Sequence, residues 1–156
     1  MTHYLNLREQ PFSMIAKGLK TIELRLLDEK RKLISVGDTL IFKNTNDETA
    51  TLTCIVKELH IFANFEELYQ ALPLDKCGYL PEELSTASAK DMEDYYSAEK
   101  QMKYGVVGIE FDKWNSIVPV SSILHRYKGR KDRKSDRQTK ENPLLLIHTE
   151  QRRISS

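Results

Sequence analysis

The sequence has no apolar run approaching the roughly 20 residues that a membrane span requires, so no membrane partner is expected. Its start, Met1-Thr2-His3-Tyr4-Leu5, lacks the basic and apolar segments of a signal peptide. Cysteine is scarce: Cys54 and Cys77 are the only two. That excludes a dense disulfide scaffold, and both are expected to be reduced in a cytoplasmic protein. The four histidines, His3, His60, His125 and His148, share no spacing. With two cysteines they make no zinc-type pattern, so neither metal nor cofactor is expected. No internal repeat is visible.

What is present is enough apolar residue, 40% of 156, for a single core with room for a tail. Charge is unevenly distributed. Residues 1–125 carry 14 Lys+Arg against 19 Asp+Glu, a net of −5, whereas residues 126–140 carry eight Lys+Arg against two Asp, a net of +6. The body is mildly acidic and the tail is basic. Domain limits of 1–112 and 113–156 are expected, the second a basic and largely disordered extension with Lys128–Asn142 lacking apolar periodicity.

The spacing predicts a strand at Tyr4–Leu7, with Asn6 facing away from its leucines, then a helix from about Glu9 to Lys17. Pro11 suits its first turn and Gly18 its stop. Strands follow at Thr21–Leu26 and Thr39–Lys43, separated by a polar loop over Asp28–Lys32 and a turn at Val36-Gly37-Asp38. Asn44–Glu48 reads as a hairpin turn. In Thr49–Phe62, Leu52, Cys54 and Val56 share one phase while Ile55, Leu59 and Ile61 take the other, which predicts a bulge. Asn64 caps a helix to about Leu72 with Phe65, Leu68 and Tyr69 inward. A second helix is expected from Ser88 or Lys90 to about Lys103, with Met92, one of Tyr95 and Tyr96, Glu99 and Met102 on its inner stripe. Tyr104–Phe111 closes the domain as a buried strand, and Ile117–Val120 forms one more strand at an edge. Leu144–Ile147 is a short apolar patch. Short strands with helices at the ends of a small sheet make an α+β domain around a small barrel.

Chemistry concentrates where the first helix ends. Alternation from Thr21 places Thr21, Glu23 and Arg25 on one face and Ile22, Leu24 and Leu26 on the other, with Lys20 at the head of the polar row. Lys20 is either a cation holding a phosphate, a desolvated base, or a solvated lysine at a strand start. Glu23 and Arg25 are either a surface ion pair or a ligand set. In the second case Arg25 forks onto a phosphate or stacks on a base, and Glu23 accepts from a base amino group or acts as general base. Asn6 projects toward the same place or serves a structural role. Tyr96 is either core or a stacking surface. Glu99 is either a second acid/base group or a partner for Lys20 or Arg25. The basic run Arg126–Lys140 is either a phosphate binder with salt-sensitive affinity or a solvated tail.

Seven blocks stand in order along the chain: Tyr4-Leu5-Asn6-Leu7, Pro11-Phe12, the pattern at Gly18, Lys20, Glu23 and Arg25, Val36-Gly37-Asp38, Phe65-Glu66-Glu67-Leu68-Tyr69, Asp91-Met92-Glu93-Asp94-Tyr95-Tyr96-Ser97 and Tyr104-Gly105-Val106-Val107-Gly108-Ile109. Together they resemble the ASCH domain (activating-signal-cointegrator homology), in its small bacterial branch. The resemblance covers about residues 2–112. It implies a PUA-like β-barrel with a cleft beside the first helix and second strand, and RNA or a modified nucleoside as partner. It also implies two hydrolytic alternatives, 4-acetylcytidine amidohydrolase and metal-independent ribonuclease. In the amidohydrolase type, a Lys, a Thr and a Glu carry the reaction. Its lysine maps onto Lys20. Its threonine maps onto the position of Glu23, where this chain departs, and Thr21 points elsewhere in register.

The expectation is therefore an RNA- or nucleoside-binding domain with a cleft lined by Lys20, Glu23 and Arg25. Lys20 and Glu23 are the catalytic candidates if it is an enzyme, and Asn6, Thr21, Tyr96 and Glu99 complete the ligand-binding set. A protein-interaction adaptor is the remaining alternative.

Overall fold

Apolar alternation builds the sheet first. In the computed structural model, which describes residues 1–114, five strands form: β1 (Thr2–Leu7), β2 (Ile22–Leu26), β3 (Thr39–Asn44), β4 (Thr51–Phe62) and β5 (Val106–Lys113). Their order is β1-β3-β4-β5-β2. β1 runs parallel to β3, and the other neighbours are antiparallel. The sheet curls into a half-barrel with helices added, an α+β, PUA-like arrangement. No helix among the described residues is long and apolar enough to cross a membrane.

Each face of the sheet covers a core. Leu5, Leu7, Leu40, Phe42, Cys54, Val56, Val107, Ile109 and Phe111 fill the inside of the curl, closed by Phe12 and Ile15 of helix α1 (Glu9–Ala16). On the outer face Ile22, Leu24, Leu26 and Val106 pack under Phe65 and Leu68 of helix α2 (Phe65–Ala71). Asn64 caps α2 by accepting from the Glu67 N–H. α1 ends at Gly18, whose φ of +77° lets Gly18 and Leu19 donate back to Ile15 and Met14 and turns the chain into β2.

The structure corrects several expectations. The second helix is not continuous to Lys103. A run of 3-10 turns at Ala89–Asp94 ends before Tyr95, and helix α3 (Ala98–Tyr104) starts afresh. The reason is local: the Ser97 side chain accepts from the Lys100 N–H and caps a new helix. The restart rotates the inner stripe. Gln101 turns inward and bonds the Phe65 N–H and the Tyr96 carbonyl, while Glu99 is exposed and Met102 is 86% exposed. Thr21 precedes β2 rather than joining it. Its N–H donates to the Lys76 carbonyl and its own carbonyl accepts from Phe111. The Asp28–Lys32 loop leads into a 3-10 turn at Arg31–Leu33. The expected bulge in β4 lies between Val56 and Glu58. Leu59 reaches the inner core, but Ile61 is 59% exposed, because β3 pairs with β4 only as far as Ile55. The readings of Ile117–Val120, Lys128–Asn142 and Leu144–Ile147 lie outside the described residues.

Candidate functional site

The register of β2 against β5 sets the site. Glu23 pairs with Ile109 and Arg25 with Val107, so both polar side chains stand on the inner face of the curl, at its open edge. They are not on an exposed strand face. Glu23 is only 5% exposed and Lys20 8%.

Glu23 sits between two cations. Arg25 Nε donates to Oε1 over 2.8 Å, and Lys20 Nζ lies 2.9 Å from Oε2. The Lys20 contact is an ion pair off the hydrogen-bonding line, leaving Oε2 buried without an aligned donor among the described residues. Burial alone would raise the Glu23 carboxyl, but the Lys20 and Arg25 charges outweigh it and hold the group below its ordinary value. The carboxylate is therefore ionised. Burial likewise works against the Arg25 charge, and Glu23 with the Tyr96 hydroxyl more than restores it. Arg25 Nη2 donates to the Asn6 carbonyl over 2.8 Å. Two of its donors are thus committed inside the protein rather than free to fork onto a phosphate.

Gly78 closes over the lysine. It has φ +112°, and a Cβ there would lie 3.3 Å from Lys20 Cδ and 3.4 Å from Nζ. Beside it the Cys77 thiol is pushed up to about 12 by burial, against the opposing Lys20 charge, and stays neutral.

Around this floor lies a cleft of about 650 Å³, within the ordinary range for small-molecule sites. Asn6, Arg8, Pro11 and Met14 form one wall. Tyr69, Tyr79, Asp91, Met92, Asp94, Tyr95 and Tyr96 form the other. The Tyr69 and Tyr79 hydroxyls are 2.7 Å apart, and Tyr79 donates to Asp91 Oδ2 over 2.8 Å. The one hydroxyl proton of Tyr79 is given to Asp91, so Tyr69 must donate to Tyr79. Burial, followed by these bonds, raises the Tyr79 phenol well above its ordinary value. Tyr96 stacks on Phe65 at 5.9 Å and so leans on the core. Tyr95 is the exposed member of the pair, with the Arg8 guanidinium 5.3 Å from its ring centroid.

The structure therefore gathers Asn6, Lys20, Glu23, Arg25 and Tyr96 along one cleft, and not Thr21 or Glu99. The lining also contains Arg8, Tyr69, Cys77, Gly78, Tyr79 and Asp91, which the sequence does not single out as site residues. Only Asp91 leaves a local signal, the Ser88-x-x-Asp91 capping spacing. Three cations (Arg8, Lys20, Arg25) face four carboxylates (Glu23, Glu83, Asp91, Asp94). The cleft is thus not a cationic groove. A group of mixed histidine and glutamate donors, Glu58, His60 and Glu110, stands outside it on β4 and β5.

An ASCH domain family model matches residues 5–115. The crystal structure of the hypothetical protein PH0355 is 31% identical, covering 73% of this chain and 100% of that chain, with a TM-score of 0.61. The solution structure of protein PF0455 from Pyrococcus furiosus is 29% identical, covering 74% and 99% respectively, with a TM-score of 0.54. The crystal structure of ASCH from Zymomonas mobilis shares the fold at 12% identity, covering 88% and 84%, with a TM-score of 0.52. No curated protein matches the chain.

Proposed function

Because the chain belongs to the ASCH domain family, we propose that its cleft binds an unpaired base of RNA or a modified nucleoside. Membership of the family supports an RNA-binding domain of the PUA-like kind. The observation that carries the finer reading is the buried Lys20–Glu23–Arg25 cluster at the floor of a nucleoside-sized cleft edged by tyrosines. Buried ion clusters are poor sources of stability, since desolvation of the charges offsets their attraction. Placed at the base of a cleft, they orient a polar ligand. Tyrosine faces suit a planar base.

The acidic balance of the cleft favours the base rather than the phosphates as the group that enters. Phosphate affinity then falls to the basic run 126–140. That run lies outside the described residues and its role follows from charge alone.

Hydrolysis of an acylated cytidine at the same cleft is the second reading. The buried Lys20 ammonium beside a carboxylate favours it. Against it, Glu23 is paired twice and held low, which makes it a weak general base near neutral pH.

Calorimetric titration with cytidine, 4-acetylcytidine and a short single-stranded RNA tests the reading, with Lys20→Ala beside the wild type. Binding that Lys20→Ala weakens by about tenfold or more is expected. Cytidine released from 4-acetylcytidine by the wild type but not by Lys20→Ala would establish the hydrolase. Neither binding nor turnover by folded protein would leave the adaptor reading.

A further inference from the structure

The β4–β5 ribbon carries a second cluster whose chemistry differs from that of the cleft. Glu58 pairs directly with Glu110 across the two strands, and His60, two residues along β4, lies on the same side. Their donor atoms all lie within 4.8 Å of one another, and each residue is half-buried. His60 Nε2 is 2.9 Å from Glu110 Oε2. That is close to the roughly 3 Å that separates neighbouring ligands on a metal with bonds of about 2.1 Å.

Two carboxylates facing each other across a strand pair repel, and this pair needs a cation. The protein supplies one. The bulge between Val56 and Glu58 makes Lys57 the extra residue, and its ammonium lies 2.9 Å from Glu110 Oε1. Glu110 is accordingly held below its ordinary value despite partial burial, by its bonds to His60 and Lys57.

We infer that His60, Glu58 and Glu110 form a binding site for a divalent first-row transition-metal ion, with Lys57 as the built-in competitor for Glu110. One imidazole and two carboxylates suit a zinc-class ion better than magnesium or calcium, which take oxygen ligands alone. In the metal-free protein the His60 Nε2–H donates to the Glu110 carboxylate. On binding, the ring proton moves from Nε2 to Nδ1, and the Nε2 lone pair so freed forms the bond to the ion. The site clips β4 to β5 just past the bulge, where β3 no longer supports β4. It shares no residue with the cleft and stands or falls independently of the function proposed there.

The test is titration of the metal-free full chain with zinc chloride by calorimetry, beside His60→Gln, Glu58→Gln and Lys57→Met. The wild type should bind one ion saturably. His60→Gln and Glu58→Gln should each weaken binding by about tenfold or more, and Lys57→Met should strengthen it. Zinc should also raise the thermal midpoint of the wild type but not of His60→Gln. Circular dichroism confirms that each variant folds. No saturable binding by the wild type, undiminished binding by His60→Gln, or weaker binding by Lys57→Met would each overturn the assignment.

Discussion

Arg25 Nη2 donates to the Asn6 carbonyl over 2.8 Å, although their strands stand at opposite ends of the sheet. The curl of the sheet brings its two edges together, and this side chain spans the gap. Because Nε of the same guanidinium holds Glu23, one residue joins the closure of the fold to the floor of the cleft.

Arg25→Ala should therefore act on both. It removes the span between edges and leaves the buried Glu23 with Lys20 alone. Breaking a buried ion pair in this way typically costs about 3–5 kcal/mol, so a clear fall in the urea midpoint is expected. Arg25→Lys keeps the charge without the planar fork and should recover only part of the loss. A wild-type midpoint in Arg25→Ala would show that the bond between the edges contributes nothing to closure.

Glu23 should leave a signature in the acid range. Its folded-state carboxyl is held below the ordinary 4.5. A group lowered on folding contributes stability that is present above its unfolded value and is lost as pH falls through its folded value. Glu23→Gln removes that contribution and leaves two cations without their anion. The variant should be less stable than the wild type at pH 7 by about 3 kcal/mol or more, and the gap should narrow as pH falls below about 4.5. Urea unfolding of both proteins from pH 7 to pH 3 checks this. A gap independent of pH would mean that the carboxylate's charge is not what matters.

The floor of the site is legible in the sequence because it is local: Lys20, Glu23 and Arg25 follow from one helix stop and one alternating strand. Burial of the polar row is not legible. It depends on which edge of the sheet β2 joins, and Glu23 reads as an exposed pair until Ile109 stands beside it. The cleft's other wall is hidden for a related reason. An apolar spacing continuous from Met92 to Met102 reads as one helix, and only the competing cap at Ser97 breaks it. Glu58, His60 and Glu110 follow no spacing rule at all, because β4–β5 register assembles them from positions about fifty residues apart.

Gly78→Ala should separate a backbone requirement from a side-chain one. The positive φ of +112° alone makes alanine strained, by about 1–3 kcal/mol. The added Cβ would also press on Lys20 at 3.3 Å. Stability should fall modestly, and nucleoside affinity should fall as Lys20 shifts. If affinity is unchanged while stability drops, the position of Lys20 is not critical to binding.

The central place of Tyr79 in the tyrosine chain is testable by comparing two similar variants. Tyr79→Phe removes the donor to Asp91 and the acceptor of Tyr69 together. Tyr69→Phe leaves the Tyr79–Asp91 bond intact. Tyr79→Phe should therefore cost more, by about 1 kcal/mol. It should also speed amide hydrogen exchange over Ala89–Asp94, which Asp91 anchors through the Ser88 N–H. Equal effects of the two variants would mean that the Tyr79–Asp91 bond adds nothing to stability.

The division of work between cleft and tail makes the most demanding prediction. A chain lacking residues 126–156 keeps every residue that lines the cleft and should bind a nucleoside as the full chain does. Its affinity for single-stranded RNA should fall, and the slope of log affinity against log salt should flatten by about 0.7 for each phosphate that the tail no longer neutralises. The acidic balance of the cleft gives the reason, since cations that already face carboxylates have little charge left for a polyanion. Fluorescence anisotropy with a labelled RNA across a salt series reads both quantities. If the truncated chain keeps the full salt slope, the body holds the phosphates and the tail is not the anion-binding element.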